Sequence, residues 1–285
     1  MRFASPETLQ EALALLDEDG ARCLAGGQSL VAMMNARLVA PSTLVSLRRI
    51  VELSTVASLQ DGGLRIGAMA AHSAVARLEP AAPGPRLVCQ AAAMIGHPAI
   101  RNQGTIGGSL AHADPAADYP TVTVAADARI VVAGAAGRRT IAAADFFKGY
   151  YETALAQGEM IVAVEVPPGP ARAAVHYEKY SLVHGDFAVI SVAVILAMEG
   201  ERCASIRLAV GACAPAPLRI SEAEALLAGT RLDDNALAAA GALLAEISDP
   251  IDDARGSAEF RRKLVPRMVK RAILAAKEKG PANHV

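Results

Sequence analysis

Residues 104–118 read GTIGGSLAHADPAAD, and residues 25–30 read AGGQSL. Both put a glycine pair and small hydroxyl or amide side chains just ahead of a helical pattern. Bare backbone of this kind can solvate a phosphate group. Glycine lacks a Cβ and reaches positive φ, so several N–H groups can be aimed at one anion. A helix starting after the loop adds the positive end of its dipole. In the second stretch Thr105 and Ser109 offer hydroxyls to phosphate oxygens. His112, Asp114 and Asp118, which follow, could be metal ligands by type; their place behind the loop favours a cofactor and structural role. Each loop alone could be an ordinary tight turn, but the two together suit a nucleotide pyrophosphate. The chain has no G-x-x-x-x-G-K-[ST], and neither loop spells G-x-G-x-x-G, so a Walker loop and a Rossmann fold are not expected.

The elements that must hold these loops can be traced by pattern. Ser5-Pro6-Glu7 predicts a helix start capped by Ser5, with Leu9, Leu13 and Leu16 at helical spacing and Gly20 at its end. A short apolar strand at 21–25 runs into the first glycine pair, and Leu30, Met33 and Met34 mark a helix after it. Thr43 to Leu47 reads as a strand, and residues 56–68 as a hairpin around Asp61-Gly62-Gly63. Helical patches at 71–78 and 86–96 precede the second loop. Strands are predicted at 121–126 (TVTVAA), 128–133 and 160–167. The proline-rich VPPGPAR at 166–172 is the candidate boundary. Strands at 174–181, 187–195 and 204–212 and helices at about 221–228, 233–247 and 257–278 follow it. Mixed elements, then three strands, then three helices make an α+β chain in two parts.

Composition narrows the function. A chain of 285 residues, 53% hydrophobic, buries a core readily. A formal net charge of −1 gives no general attraction to nucleic acid or membrane surfaces. Absent tryptophan and 4% aromatics argue against a stacking platform for single strands. Cys23, Cys89, Cys203 and Cys213 form no CxxC pair, which leaves buried thiols as the expectation. The start MRFASPETLQ lacks the apolar core of a signal peptide. No uncharged run approaches the ~18 apolar residues of a membrane span; FAVISVAVILAM (187–198) suits a buried strand. A soluble cytoplasmic protein is expected. Basic residues 261, 262, 263, 267, 270 and 271 alternate with Phe260, Leu264 and Met268, which predicts an amphipathic helix with a solvated basic face. His97 reads as a loop histidine, Asp186 as a turn former, and Lys179 on its own as a surface lysine on an edge strand.

AGGQSL together with RNQGTIGGSLAHADPAAD (101–118), KYSLVHGDFAVISVAV (179–194) and ARGSAEFRRKLVPRMVKRA (254–272) resembles the FAD-binding medium subunit of the molybdenum hydroxylases, the carbon monoxide dehydrogenase and xanthine dehydrogenase family. The resemblance spans nearly the whole chain. It implies a two-subdomain FAD-binding fold of the vanillyl-alcohol-oxidase-like type over residues 1–168 (subdomains about 1–53 and 54–168). A small domain of a three-stranded sheet and three helices over 173–280 would follow. By the same resemblance, Ala25, Gly26, Gly27, Gln28, Ser29 and Leu30 match one phosphate loop, and Thr105, Ile106, Gly107, Gly108 and Ser109 the other. Asp118 matches a cofactor-contacting acid, Ile95 and Ile161 match apolar positions lining the cofactor, and Lys179 matches a lysine near the flavin ring. Gln28 stands where some members have histidine, and Ser109 where many have asparagine; both replacements can still hydrogen-bond. The implied function is an electron-transfer oxidoreductase subunit, with FAD on this chain. A [2Fe-2S] centre would sit on a small partner and the molybdenum cofactor on a large one, the whole assembling as a dimer of heterotrimers. A self-contained nicotinamide-dependent flavin reductase and a non-redox nucleotide-binding module are the alternatives.

Overall fold

The computed structural model describes residues 1–280. The first elements are β1 (Arg2–Ala4), α1 (Leu9–Leu16), β2 (Ala21–Leu24), α2 (Leu30–Asn35) and β3 (Thr43–Ser46). Their three strands form a parallel sheet in the order β1-β3-β2. Helix α1 starts later than Ser5 predicts, because Thr8 is the cap: its hydroxyl accepts from the Glu11 N–H. The Glu11 carboxylate reaches back to the Glu7 N–H, so the satisfied donors lie around Thr8 rather than Ser5.

The second part contains β4 (Val56–Ser58), β5 (Leu64–Gly67), α3 (His72–Ala76), α4 (Pro83–Met94), α5 (Pro98–Gln103), α6 (Ile106–His112) and α7 (Asp118–Ala125). After these come β6 (Arg129–Gly134), β7 (Gly137–Ala142), α8 (Ala143–Phe146), β8 (Phe147–Gly149), β9 (Glu152–Thr153) and β10 (Met160–Val166). A five-stranded antiparallel sheet runs β4-β5-β10-β6-β7. Strand β10 is buried on both faces, which explains its unbroken apolar run. Ile161 and Val164 enter the large core with α4 and α6, while Val162 and Ala163 join Leu9, Leu16 and Val45 beneath the first sheet. A bulge between Ile161 and Ala163 leaves Val162 as the extra residue and lets the consecutive Val162 and Ala163 share one face.

The strand expected at 121–126 is absent: these residues belong to α7 and the turn that ends it. All of α7 is buried, so it has no polar face from which a helical period could be read. Pro120 sits in the first turn, where its missing N–H removes no helical bond. The Thr123 hydroxyl donates to the Tyr119 carbonyl at 2.8 Å, which satisfies the polar group of a β-branched residue inside the helix.

The last part contains β11 (Ala174–Tyr180), β12 (Ile190–Glu199), β13 (Arg202–Gly211), α9 (Ser221–Leu227), α10 (Asp234–Ile247) and α11 (Ala258–Lys279). The antiparallel sheet β11-β12-β13 carries helices on both faces. Ile190, Val192, Val194 and Leu196 of β12 pack with α9, α10 and α11, whereas Ala193 and Ile195 enter the large core. The period of a strand therefore splits β11 as well: Tyr177 and Lys179 face α4 and α7, and Glu178 faces α11, where it pairs with Arg271. The buried stripe of α11 runs Arg261, Val265, Met268, Val269, Ala272, Ile273 and Ala276. Thus Arg261 does not belong to a solvated basic face, and Phe260 is 39% exposed. The Arg261 guanidinium is held by the Val189 and Ala212 carbonyls and by Asp253.

Candidate functional site

The two glycine loops meet. A Cβ on Gly26 would fall on the Gln103 carbonyl, and a Cβ on Gly108 would lie 3.6 Å from the Ala25 Cβ. Gly27 adopts φ +73°, which turns the chain from β2 toward α2. In the first loop the backbone N–H groups of Gly26, Gly27, Gln28, Ser29 and Leu30 have no acceptor among the described residues. These donors, next to a helix start and only partly covered, are what an anion needs. The Gln28 side chain folds over its own loop, its Nε2 donating to the Gly26 carbonyl at 3.2 Å.

The second loop is built differently from its sequence expectation. The Ile106 and Gly107 N–H groups donate to the Ala70 and Ala68 carbonyls at 3.1 and 2.8 Å. The Gly108 N–H donates to the Thr105 hydroxyl oxygen at 3.1 Å, so Thr105 caps α6. Its amides are thus largely consumed internally, and Thr105 is itself buried at 5% exposure, its hydroxyl left with only its own proton to donate; the partly exposed side chain is that of Ser109. Gly107 is glycine for packing: a Cβ there would sit 2.5 Å from the Ala68 Cβ.

Seven-residue α6 leads from this loop to the other half of the site. His112, Asp114 and Asp118 do not converge. His112 lies against the Tyr151 ring, its centroid 5.1 Å away. Asp114 accepts from the Ala116 N–H and the Tyr151 hydroxyl. The Asp118 carboxylate accepts from the Tyr177 hydroxyl at 2.8 Å and from Lys179 Nζ at 3.0 Å. Lys179 also donates to the Met94 carbonyl at 3.3 Å, beside Ile95. Its side chain is 3% exposed, so it is no surface lysine although β11 is an edge strand. Burial pushes the Asp118 carboxyl up, opposed by the charge and hydrogen bond of Lys179 and by Tyr177. Ile95 is half-buried, whereas Ile161 lies deep in the core at 4% exposure. Among the described residues, no group of three His, Cys, Asp or Glu side chains is placed to hold a metal ion.

Three supporting residues escaped the sequence reading. Tyr177 is two positions before Lys179, so the strand period alone puts both on one face. Arg101 donates to the Ile95 and Gly96 carbonyls at 3.0 and 2.7 Å and braces the turn beside Lys179. His72 supports the second loop: its N–H donates to the Gly104 carbonyl at 3.0 Å, and its ring crosses Tyr119 at 5.3 Å. A lone histidine in an apolar stretch gives no sequence signal of such a role.

Burial, aided by Arg101, pushes the His72 imidazole down to about 4 from the usual 6.5. Its folded value lies below the unfolded one. The stabilisation from the neutral ring is therefore complete above about pH 6.5 and is lost as pH falls toward 4. At roughly 1.4 kcal/mol per pH unit, the loss amounts to about 3 kcal/mol. Denaturant unfolding between pH 7 and 4.5 should show this slope, and His72→Leu should flatten it.

Comparison with known proteins assigns the family. Residues 1–169 match the FAD-binding domain of molybdopterin dehydrogenases, and residues 175–276 match the C-terminal domain of carbon monoxide dehydrogenase flavoproteins. The chain belongs to the FAD-binding medium subunits of the molybdenum hydroxylases. It is 36% identical to the nicotine 6-hydroxylase medium subunit of Paenarthrobacter nicotinovorans, with 97% of each chain covered. It is 37% identical to the carbon monoxide dehydrogenase medium chain of Afipia carboxidovorans, over 98% of this chain and 97% of that one. The solved quinoline 2-oxidoreductase of Pseudomonas putida 86 superposes with a TM-score of 0.92 at 36% identity, covering 98% of this chain and 97% of that one. Carbon monoxide dehydrogenase of Hydrogenophaga pseudoflava superposes with a TM-score of 0.94, also at 36% identity and with 98% of each chain covered. The medium subunit is accordingly an FAD protein of an oxidoreductase complex with several subunits. No helix among its described residues is long and apolar enough to cross a membrane.

Proposed function

We propose that this medium subunit holds one FAD, takes electrons from a small [2Fe-2S] subunit and passes them to an external acceptor. The large partner would carry the molybdenum cofactor, and the assembly would be a cytoplasmic dimer of heterotrimers. The observation that carries the reading is the run of unpaired amides from Gly26 to Leu30, pressed against the second loop at Gln103–Gly104. In this reading residues 25–30 take most of the pyrophosphate charge through backbone donors. Thr105 and Ser109 contribute hydroxyls from the start of α6, and residues 106–108 shape that wall. Ile95, Asp118 and Lys179 line the flavin end, and Ile161 supports it from the core. FAD supplies the two-electron redox chemistry; the protein binds it, orients it and sets its charge environment. Residues 1–168 would form the cofactor-binding unit and 173–280 a second unit that completes the flavin end with β11.

Two measurements test this. Denaturing the purified protein and chromatographing the released flavin should give FAD. Release of FMN alone, or no flavin after reconstitution with FAD, overturns the cofactor reading. In the purified complex, organic substrate added anaerobically should bleach the flavin absorbance, and the isolated chain should stay oxidised. Bleaching of the isolated chain would place the substrate chemistry here and end the relay reading.

A further inference from the structure

Asp118 and Lys179 form an ion pair in nearly dry surroundings, their side chains 6% and 3% exposed. The groups facing the carboxylate are Lys179 and Tyr177 from β11 and Tyr119 from its own helix. Tyr119 is flanked in turn by Cys89 of α4 and His72 of α3. Behind Tyr177 the Ser191 and Thr121 hydroxyls pair at 3.2 Å, and a Cβ on Gly211 would fall on them. The positive charge of Lys179 is thus already spent on Asp118 and is not free to meet a second anion.

A flavin that has gained two electrons and one proton carries a negative charge. Beside a neutral buried pair that charge would stand uncompensated, and an unpaired charge is costly where water is excluded. A proton on Asp118 restores neutrality: the carboxyl becomes uncharged and Lys179 balances the flavin instead. The same added charge favours the protonated acid, and burial already pushes this carboxyl upward. A protonated Asp118 still accepts from Tyr177 through its carbonyl oxygen.

Resting on the reading that the flavin ring lies beside Lys179, we propose that Asp118 takes up a proton when the bound FAD is reduced, with Tyr177 as the positioning residue. Per two electrons, supplied by the iron–sulfur partner or by dithionite in the test, two protons enter from solvent. One goes to the flavin and one to Asp118, and no other bond changes.

The test uses the full chain with FAD bound, loading being scored first by its absorbance. The flavin midpoint potential is followed between pH 7.5 and 9. Each proton per two-electron couple contributes about 30 mV per pH unit. The expected wild-type slope is two protons, falling to one in Asp118→Asn. Tyr177→Phe should keep two protons to higher pH, because the carboxylate loses a donor. Redox-difference infrared should show a protonated-carboxyl band on reduction of the wild type that is missing from Asp118→Asn. A one-proton wild-type slope without that band overturns the inference and leaves the cofactor reading standing. A chain that takes up no FAD overturns both. If Asp118→Asn does not load, the wild-type infrared band alone decides.

Discussion

Gly26→Val is expected to abolish FAD retention, weakening binding at least about 100-fold, or about 3 kcal/mol. The new Cβ would fall on the Gln103 carbonyl, so the two loops must separate, and the unpaired amides of residues 26–30 lose the wall against which they face. The loop is only half-buried, so thermal stability should fall little. Gly107→Val behaves in the opposite way. Gly107 is buried against Ala68 in the wall of the large core, and a branched side chain there displaces α6 from the sheet. Titrating FAD into each apo-variant beside a melting curve separates the two. Wild-type affinity in Gly26→Val would remove the first loop from the site.

Arg261→Met is expected to destabilise the fold by about 3 kcal/mol in denaturant unfolding. Removing one member of a buried charged network leaves its partners desolvated and unpaired. Here the stranded groups are the Val189 and Ala212 carbonyls, with Asp253, which also accepts from the Arg255 and Gly256 N–H groups. Asp253 is partly exposed, which keeps the cost at the lower end of such networks. Arg261→Lys should recover part of the loss, since one ammonium cannot span three acceptors that a planar fork reaches. An unchanged midpoint in Arg261→Met would show that water replaces the guanidinium without cost.

These residues show what a sequence can and cannot disclose. The glycine pairs are visible as loops, but not their division of labour. Gly26 is bare because another strand of backbone crosses it, Gly107 because a sheet lies beneath it, and only coordinates separate the cases. Strands β6, β10 and β12 were legible because their apolar runs are long and bounded by turn residues, whereas β11, AVHYEKY, showed itself by β-branched and aromatic residues between polar ones. Helix α7 was not, since a fully buried helix has no polar face and its alternating Thr and Val imitate a strand. Arg261 misled for a related reason: a charged residue in a basic run looks solvated, and its carbonyl partners lie 72 and 49 positions away. The Lys179 to Asp118 pairing spans 61 positions and was reachable only through the family resemblance, which supplied both residues but not their contact.

Strand β12 contributes Ala193 and Ile195 to one core and Val192 and Val194 to another. The join between the two family-matched segments is therefore a poor place to cut or to graft. A fragment ending near residue 170 would lay bare the apolar backs of α4 and α7 and leave Asp118 without Lys179. A hybrid carrying the second segment of a relative would have to match Gly211 and Ser191 to Thr121, and residues 177 and 179 to Asp118, before the parts could close. Recombination among medium subunits is thus expected to respect this seam as a set of paired positions, inherited together rather than exchanged as modules.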